Sequence, residues 1–150
     1  MILITQTKNV LIALLSSLLL LSVIFGIYSQ HVASTLRNEL DNDYKRILFQ
    51  MHTTIDNNND KELLILELLK FNSQLDVLGT YTSYNNNRNS LSMYTKHLNN
   101  YFTNFLILIE KRSIEELQSL STSFYNLSKD PFNITHINTL LYKTTNVNYE

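Results

Sequence analysis

VLIALLSSLLLLSVIFGIY, from Val10 to Tyr28, is the stretch that decides the fold class. Only three of its nineteen residues, all of them serines, are clearly polar, and no Asp, Glu, Lys or Arg occurs from Asn9 to Leu36. An α-helix over this run is roughly 28 Å long, which matches the hydrocarbon thickness of a bilayer. We therefore predict a single transmembrane helix, with residues 1–29 forming a cytoplasmic stub and the membrane anchor.

The same segment is open to a second interpretation, namely a signal peptide that is cleaved. Lys8 supplies a short positive region before the apolar run. That run is longer than in most signal peptides, however, and residues 27–34 contain no typical cleavage site of small residues. An uncleaved anchor is the favoured interpretation, and it predicts a single-pass protein of the plasma (inner) membrane.

The orientation of the helix is predicted from its flanking charges and from the length of the chain that follows. Lys8 precedes the helix, whereas Arg37, Lys45 and Arg46 follow it, so basic residues alone slightly favour a cytoplasmic domain. Long domains, however, are translocated largely regardless of charge. We expect the N-terminus in the cytoplasm and residues 30–150 as an extracytoplasmic domain.

The composition of the chain excludes several classes of function. Twelve Lys and Arg against thirteen Asp and Glu leave no strong field of either sign, so no nucleic acid partner is expected. The absence of cysteine removes disulfides, thiolate nucleophiles and cysteine-based metal sites. Two glycines and one proline are few for a sheet-rich domain, which needs many tight turns. Long helices are favoured.

Apolar residues after the membrane segment follow helical spacing. Steps of three and four residues connect the first set, which is Val32, Leu36, Leu40, Tyr44, Ile47, Met51 and Ile55. No Gly or Pro lies between Gly26 and Asn57, so the transmembrane helix is expected to continue into the domain. The sequence DNNND from Asp56 to Asp60 ends it, and Asn59 with Glu62 predicts a capping box for the next helix.

Further helices are predicted in the rest of the chain. The second runs from Asp60 to about Thr82, and the third carries the a/d pattern of coiled coils at Leu91, Tyr94, Leu98, Tyr101, Phe105 and Leu108. Ser113 with Glu116 predicts the start of a fourth helix through Leu127, and one bent helix over both segments is the alternative. Asp130 and Pro131 predict the start of a short fifth helix. The predicted fold is all-α: one N-terminal transmembrane helix that continues into an antiparallel helical bundle.

Residues suited to catalysis or metal binding are dispersed. His31, His52, His97 and His136 lie in separate segments, and only His52 has an acidic residue, Asp56, at the three- or four-residue spacing of a metal pair. Glu39 and Asp43 lie one helical turn apart, but two carboxylates do not complete a Ca²⁺ site. We predict no catalytic residues, no metal and no cofactor, hence not an enzyme; a hydrolase without a recognisable motif is the enzymatic alternative.

One constellation points to ligand binding, around the loop predicted after the second helix. It consists of Tyr81, Tyr84, Arg88 and Tyr94. Aromatic faces beside a fixed cation can hold a small anion or an amino-acid-like ligand. The competing interpretation is an aromatic belt at the membrane interface, to which Tyr28 would also belong.

The layout of the chain resembles the N-terminal sensor region of bacterial transmembrane receptors, the chemoreceptors and sensor histidine kinases. The matching stretch is MILITQTKNVLIALLSSLLLLSVIFGIYSQHVASTLRNEL together with the amphipathic helices after it. The resemblance implies that the domain binds a small ligand or a partner protein and passes a signal inward through its long first helix. A homodimer with the stripe from Leu36 to Ile55 at the subunit contact is also expected.

The alternative is a complete single-pass accessory or assembly subunit of a membrane complex. A receptor needs a second crossing to reach its cytoplasmic output, and the longest uninterrupted apolar run after Tyr28 is Phe105 to Ile109. Either the chain is the front piece of a longer receptor, or its helices serve as docking surfaces for other subunits.

Overall fold

The computed structural model describes the backbone of residues 2–84 and 88–145, and the side chains of residues 14–84 and 94–145. These residues form helices and connecting turns, with no β-strand among them, so the all-α prediction is confirmed. The helices are α1 (Ile2–Asn57), α2 (Lys61–Gly79), α3 (Arg88–Ile107), α4 (Ile114–Gln118), α5 (Ser121–Lys129) and α6 (Ile134–Thr145).

The chain divides into two compact units, residues 1–36 and 37–150. In the first unit, the described part of α1 exposes its apolar side chains, with Leu19 at 68% and Phe25 at 72% relative exposure. Within the described residues, α1 is the one helix long and apolar enough to cross a membrane by length and composition. The prediction of an apolar N-terminal helix is confirmed to that extent.

The second unit has one apolar core, to which α1 through α6 all contribute. Helix α2 packs on α3, and α6 packs on both α3 and α5. The antiparallel direction of the helices stays a prediction. The fully buried large side chains of this core are Tyr44, Leu48, Met51, Ile55, Leu64, Ile65, Leu68, Leu75, Tyr94, Leu98, Phe102, Phe105, Leu117, Leu120, Phe124, Leu127 and Leu140.

The stripe predicted along the first helix packs largely inside the chain itself. Tyr44, Met51 and Ile55 are completely buried in the core, whereas Val32 and Leu36 are exposed. From Tyr44 onward the stripe is therefore unavailable as the subunit contact that we expected from the sequence. The homodimer itself stays a prediction.

The cap of α2 differs from the prediction by one residue. Asp60, rather than Asn59, is the N-cap, and its Oδ1 accepts hydrogen bonds from the backbone N–H groups of Glu62 at 3.0 Å and Leu63 at 3.2 Å. The Asn58 side chain holds this turn by accepting from the N–H of Asp60 at 2.9 Å. The capping box predicted with Asn59 is wrong, because an aspartate one position later caps the helix.

The predicted fourth helix is divided into two. The Ser113–Glu116 capping box is present at the start of α4, with the Ser113 N–H donating to Glu116 Oε1 at 3.2 Å. The helix ends after Gln118, and α5 begins at Ser121. Leu120, in the turn between them, is completely buried. Tertiary packing of this turn therefore interrupts a segment whose sequence has no breaker.

The predicted helix start at Asp130 and Pro131 is wrong. Asp130 ends α5, and its side chain accepts from the N–H of Phe132 at 3.2 Å, which forms a turn. Helix α6 begins at Ile134, after Asn133, whose Oδ1 accepts from the N–H of His136 at 3.3 Å. Asn133 satisfies a free N–H of the first helical turn, which is the role predicted for Asp130.

Candidate functional site

The four residues predicted to bind a ligand lie in different environments. Tyr81 is 64% exposed, whereas Tyr84 and Tyr94 are buried. The side chain of Arg88 lies outside the described residues. The structure brings Tyr84 and Tyr94 together through a third tyrosine, Tyr44 of α1, and leaves Tyr81 on the surface.

The three buried tyrosines join α1 to α3 and to the segment after α2. The hydroxyl groups of Tyr44 and Tyr94 share a hydrogen bond, and the ring centroids of Tyr44 and Tyr84 are 5.6 Å apart. Tyr84 also meets Phe132 edge to face at 4.8 Å. A Cβ atom at Gly79 would lie 3.6 Å from Tyr44 Cε2, which is an ordinary van der Waals contact, so the end of α2 packs beside this ring.

Burial keeps these phenols neutral. Desolvation raises the pKa of Tyr84 to about 12 and raises the pKa values of Tyr44 and Tyr94 well above the usual value for tyrosine. Neutral phenols that bond to each other in a core cannot contribute a charge to a ligand. The tyrosines are therefore a packing and positioning element.

A polar pocket lies beside the tyrosines, between α2 and α3. It has a volume of about 430 Å³ and falls within the range of about 300–1,000 Å³ that is usual for small-molecule sites. Its lining residues are Asn72, Ser73, Asp76 and Val77 of α2 with Thr95, Lys96 and Asn99 of α3. Thr95 directly follows Tyr94, so the pocket wall and the tyrosine pair share one turn of α3.

The inner wall of the pocket is built from hydrogen-bonded side chains of both helices. The Asn72 Nδ2 group donates to the backbone carbonyl of Thr95 at 2.9 Å. The Thr95 hydroxyl donates to Asp76 Oδ1 at 2.9 Å. Asn72 and Thr95 are 1% and 2% exposed. These bonds fix the register of α3 on α2.

One atom of this wall lacks a partner. Asn72 Oδ1 is buried and closed to solvent, and it forms no hydrogen bond with any described residue. Leaving a buried polar atom unsatisfied costs about 1–3 kcal/mol. The residue that carries this atom lines the pocket, and a buried unpaired acceptor next to a pocket is a candidate partner for an external donor.

Opposite charges lie at the mouth of the pocket. Asp76 on α2 and Lys96 and Asn99 on α3 are exposed there. The mouth therefore offers a carboxylate, an ammonium group and an amide.

A Ser–His–Asp group lies elsewhere, between α1 and α5. His52 Nδ1 is 2.6 Å from Ser121 Oγ and 3.4 Å from Asp56 Oδ2, and the Ser121 hydroxyl donates to Asp56 Oδ1 at 2.5 Å. In a catalytic triad one ring nitrogen contacts the serine and the other contacts the carboxylate. Here Nδ1 faces both, so the group ties α5 to α1 and does not activate the serine.

No group of three or more His, Asp or Glu in the described part of the chain could hold a metal ion.

A second concave surface lies between α1 and α2, with a volume of about 940 Å³ and an apolar wall that includes Ile47, Phe71 and Leu78. Its rim carries Arg46 and Lys70.

Sequence reasoning missed the polar pocket. Asn72 lies on the face of α2 that buries Leu68 and Leu75, so the signal was an amide at a core position of an apolar helix. Asp76 repeats a polar residue one turn later on α2, and Thr95 and Asn99 do the same on α3.

Comparisons with protein families, with curated proteins and with solved structures found no match.

Proposed function

We propose that this chain is a membrane-anchored sensory domain that binds a small polar ligand between α2 and α3 and passes the signal through α1. The N-terminus is cytoplasmic and residues 30–150 lie outside the plasma (inner) membrane. The observation that supports the binding function is the buried, unpartnered Oδ1 of Asn72, a residue that lines the α2–α3 pocket. The long apolar helix supports the anchor.

A short chain of contacts supports the connection from the pocket to α1. Thr95 lines the pocket, Tyr94 precedes it, and the Tyr94 hydroxyl bonds to that of Tyr44 on α1. A ligand that shifts α3 relative to α2 therefore changes the surroundings of Tyr44. Helix α1 contains both Tyr44 and the apolar segment, so it is the element through which the signal leaves the domain.

The experiment is a thermal-unfolding screen of the full chain in lipid nanodiscs against cationic, neutral and anionic compounds of low mass. A compound present at a hundred times its Kd should add about 2.7 kcal/mol to the free energy of unfolding and raise Tm by several degrees. Asn72→Leu should remove this shift. Gln74→Leu, on the α1–α2 side of α2, is the matched control and should retain it.

Two results would contradict the proposal. One is a screen in which no compound raises Tm. The other is a shift that survives both Asn72→Leu and Asp76→Asn, because the ligand would then bind elsewhere.

A second candidate, an accessory subunit of a membrane complex, is favoured by the apolar surface of α2. Leu63, Leu66 and Val77 are each about half or more exposed, and Val77 also lines the groove beside α1. Affinity purification in mild detergent should then return partners in fixed stoichiometry, and Val77→Glu should remove them. Tyr142→Glu, at an equally exposed position on α6, is the control. Recovery of the chain alone would count against this candidate.

A further inference from the structure

We propose that the α2–α3 pocket binds a small primary ammonium ion. This inference rests on the proposed ligand-binding function and names the chemical class of the ligand. It is carried by two residues that line the same pocket, namely Asn72, whose Oδ1 is buried and unpartnered, and Asp76, which supplies a carboxylate.

The hydrogen-bonding groups of the pocket wall require a donor. Asn72 uses its Nδ2 group on the Thr95 carbonyl, so the atom that lacks a partner is an acceptor. The Thr95 hydroxyl donates to Asp76, and the Ser73 hydroxyl donates to the Leu69 carbonyl at 2.9 Å. The donor groups of Asn72, Thr95 and Ser73 are thus already bonded to protein acceptors. A ligand that only accepts hydrogen bonds would leave Asn72 Oδ1 unsatisfied.

The Asp76 carboxylate favours a positively charged donor over a neutral donor as the ligand. A carboxylate can accept at both oxygens, and a hydrogen bond between ionised groups is roughly twice as strong as a neutral one. A primary ammonium group carries three donors on a single nitrogen. Asn72 and Asp76 lie one turn apart on α2 and both bond to Thr95, so we assign both acceptors to one such group. A neutral hydroxyl could satisfy Asn72 but would gain no attraction from Asp76.

Lys96 acts as a competitor in this arrangement. It lies at the exposed mouth of the pocket and has the same charge and donor set as the proposed ligand. Its positive charge weakens the attraction of the pocket for another cation. Removing the charge of Lys96 should therefore tighten the binding of an ammonium ion, and it should weaken the binding of any ligand held by an anionic group.

The tyrosine pair does not take part in recognition. The Tyr44 and Tyr94 hydroxyl groups are bonded to each other inside the core, and neither residue lines the pocket. Recognition of the ligand is therefore assigned to Asn72 and Asp76, and the charge of Lys96 lowers the affinity for a cation.

The test is a titration of the full chain in lipid nanodiscs with ethylammonium chloride, followed by NMR of the Asn72 side-chain amide and the Thr95 backbone amide. Acetate, ethylene glycol and tetramethylammonium are the comparison probes. Ethylammonium should give saturable shifts. Asp76→Asn and Asn72→Leu should each raise its Kd about tenfold, which corresponds to about 1.4 kcal/mol.

Two variants at exposed lysines test the proposal without disturbing the fold. Lys96→Gln should lower the Kd for ethylammonium about two- to fivefold, because a like charge in a solvated site costs about 1 kcal/mol or less. Lys70→Gln, the same change on the α1–α2 side of α2, should leave the Kd unchanged. Both lysines are exposed, so neither change disturbs the core.

Each remaining outcome overturns the assignment. Equal binding of tetramethylammonium would mean that the donors are not used, and a weaker ethylammonium complex in Lys96→Gln would mean that the cation is not recognised. If ethylene glycol or acetate binds and depends on Asn72 while ethylammonium does not bind, the ligand class is wrong and the proposed function stands. If no probe binds here and no compound in the nanodisc screen binds, both fail.

Discussion

Tyr44 is the residue of α1 that bonds, inside the core, to the tyrosine preceding the pocket residue Thr95. Its hydroxyl is completely buried and bonds to that of Tyr94. In Tyr44→Phe or Tyr94→Phe, the remaining hydroxyl loses its partner inside the core. Each variant should therefore lower the free energy of unfolding by about 1–3 kcal/mol in urea titrations.

The double variant distinguishes this pair from two independent packing defects. With both hydroxyl groups removed, no unpaired donor remains, so the loss should be smaller than the sum of the two single losses. Tyr142→Phe, at an exposed position on α6, should change stability by less than about 0.5 kcal/mol. Additive losses in the double variant would show that the hydrogen bond contributes little.

At the same scale, the burial of two tyrosines could not be predicted from the sequence. Tyr84 and Tyr94 were expected to face a ligand, and the structure buries them against Tyr44, fifty positions from Tyr94. Asn72 could not be recognised from sequence, because its role depends on the carbonyl of Thr95 on another helix and on a pocket that exists only after packing. The ligand function of this region stays a prediction.

At the scale of the elements, Lys61 holds the start of α2 against the end of α3. Its Nζ donates to the backbone carbonyls of Ile109 and Arg112, both at 2.9 Å. These carbonyls lie past the last residue of α3, where the helix has no internal donors for them. One ammonium group thus satisfies two backbone acceptors in the turn before α4.

Lys61→Met keeps most of the apolar stem and removes the charge. We expect a loss of about 1.5–3 kcal/mol in the free energy of unfolding, because charge-assisted hydrogen bonds of this kind contribute about that amount. Hydrogen exchange should also speed up at the backbone amides of residues 108–112. Lys70→Met is the matched control on the same helix, and an equal loss in both variants would refute the capping role of Lys61.

Periodicity predicted α1, α2 and α3 because each has an apolar face that is read directly from the spacing of its residues. It failed at the end of the chain, where local signals compete. Between α4 and α5, the Ser119 carbonyl accepts from Lys143 Nζ and Leu120 is buried, and both contacts depend on packing rather than on local sequence. At Asp130 and Pro131, two good helix-start residues form a turn, because Asn133 follows them and caps α6.

At the scale of the whole molecule, the buried tyrosines set the response of stability to alkaline pH. Desolvation raises the pKa of Tyr84 and of Tyr101 to about 12, and it also raises those of Tyr44 and Tyr94. Their unfolded values are near 10. The folded state therefore retains protons that the unfolded state releases, so stability is fully present below pH of about 10 and falls as pH rises toward 12.

Urea unfolding between pH 8 and 12, in about one-unit steps, measures this effect. Each tyrosine that is ionised only when unfolded lowers the free energy of unfolding by up to about 1.4 kcal/mol per pH unit. Tyr44→Phe with Tyr94→Phe should reduce the slope, because two of the groups no longer titrate. A flat profile from pH 9 to 12 would contradict the burial of these phenols.

We propose above that a ligand in the α2–α3 pocket alters α1 in a membrane-anchored domain. Hydrogen exchange of the full chain in lipid nanodiscs, with and without saturating ethylammonium, tests it most directly. We predict slower exchange in residues 72–76, in residues 95–99 and in α1 around Tyr44, and no such changes in Asn72→Leu. Protection that is unchanged in α1, or that is the same in Asn72→Leu, would contradict the claim.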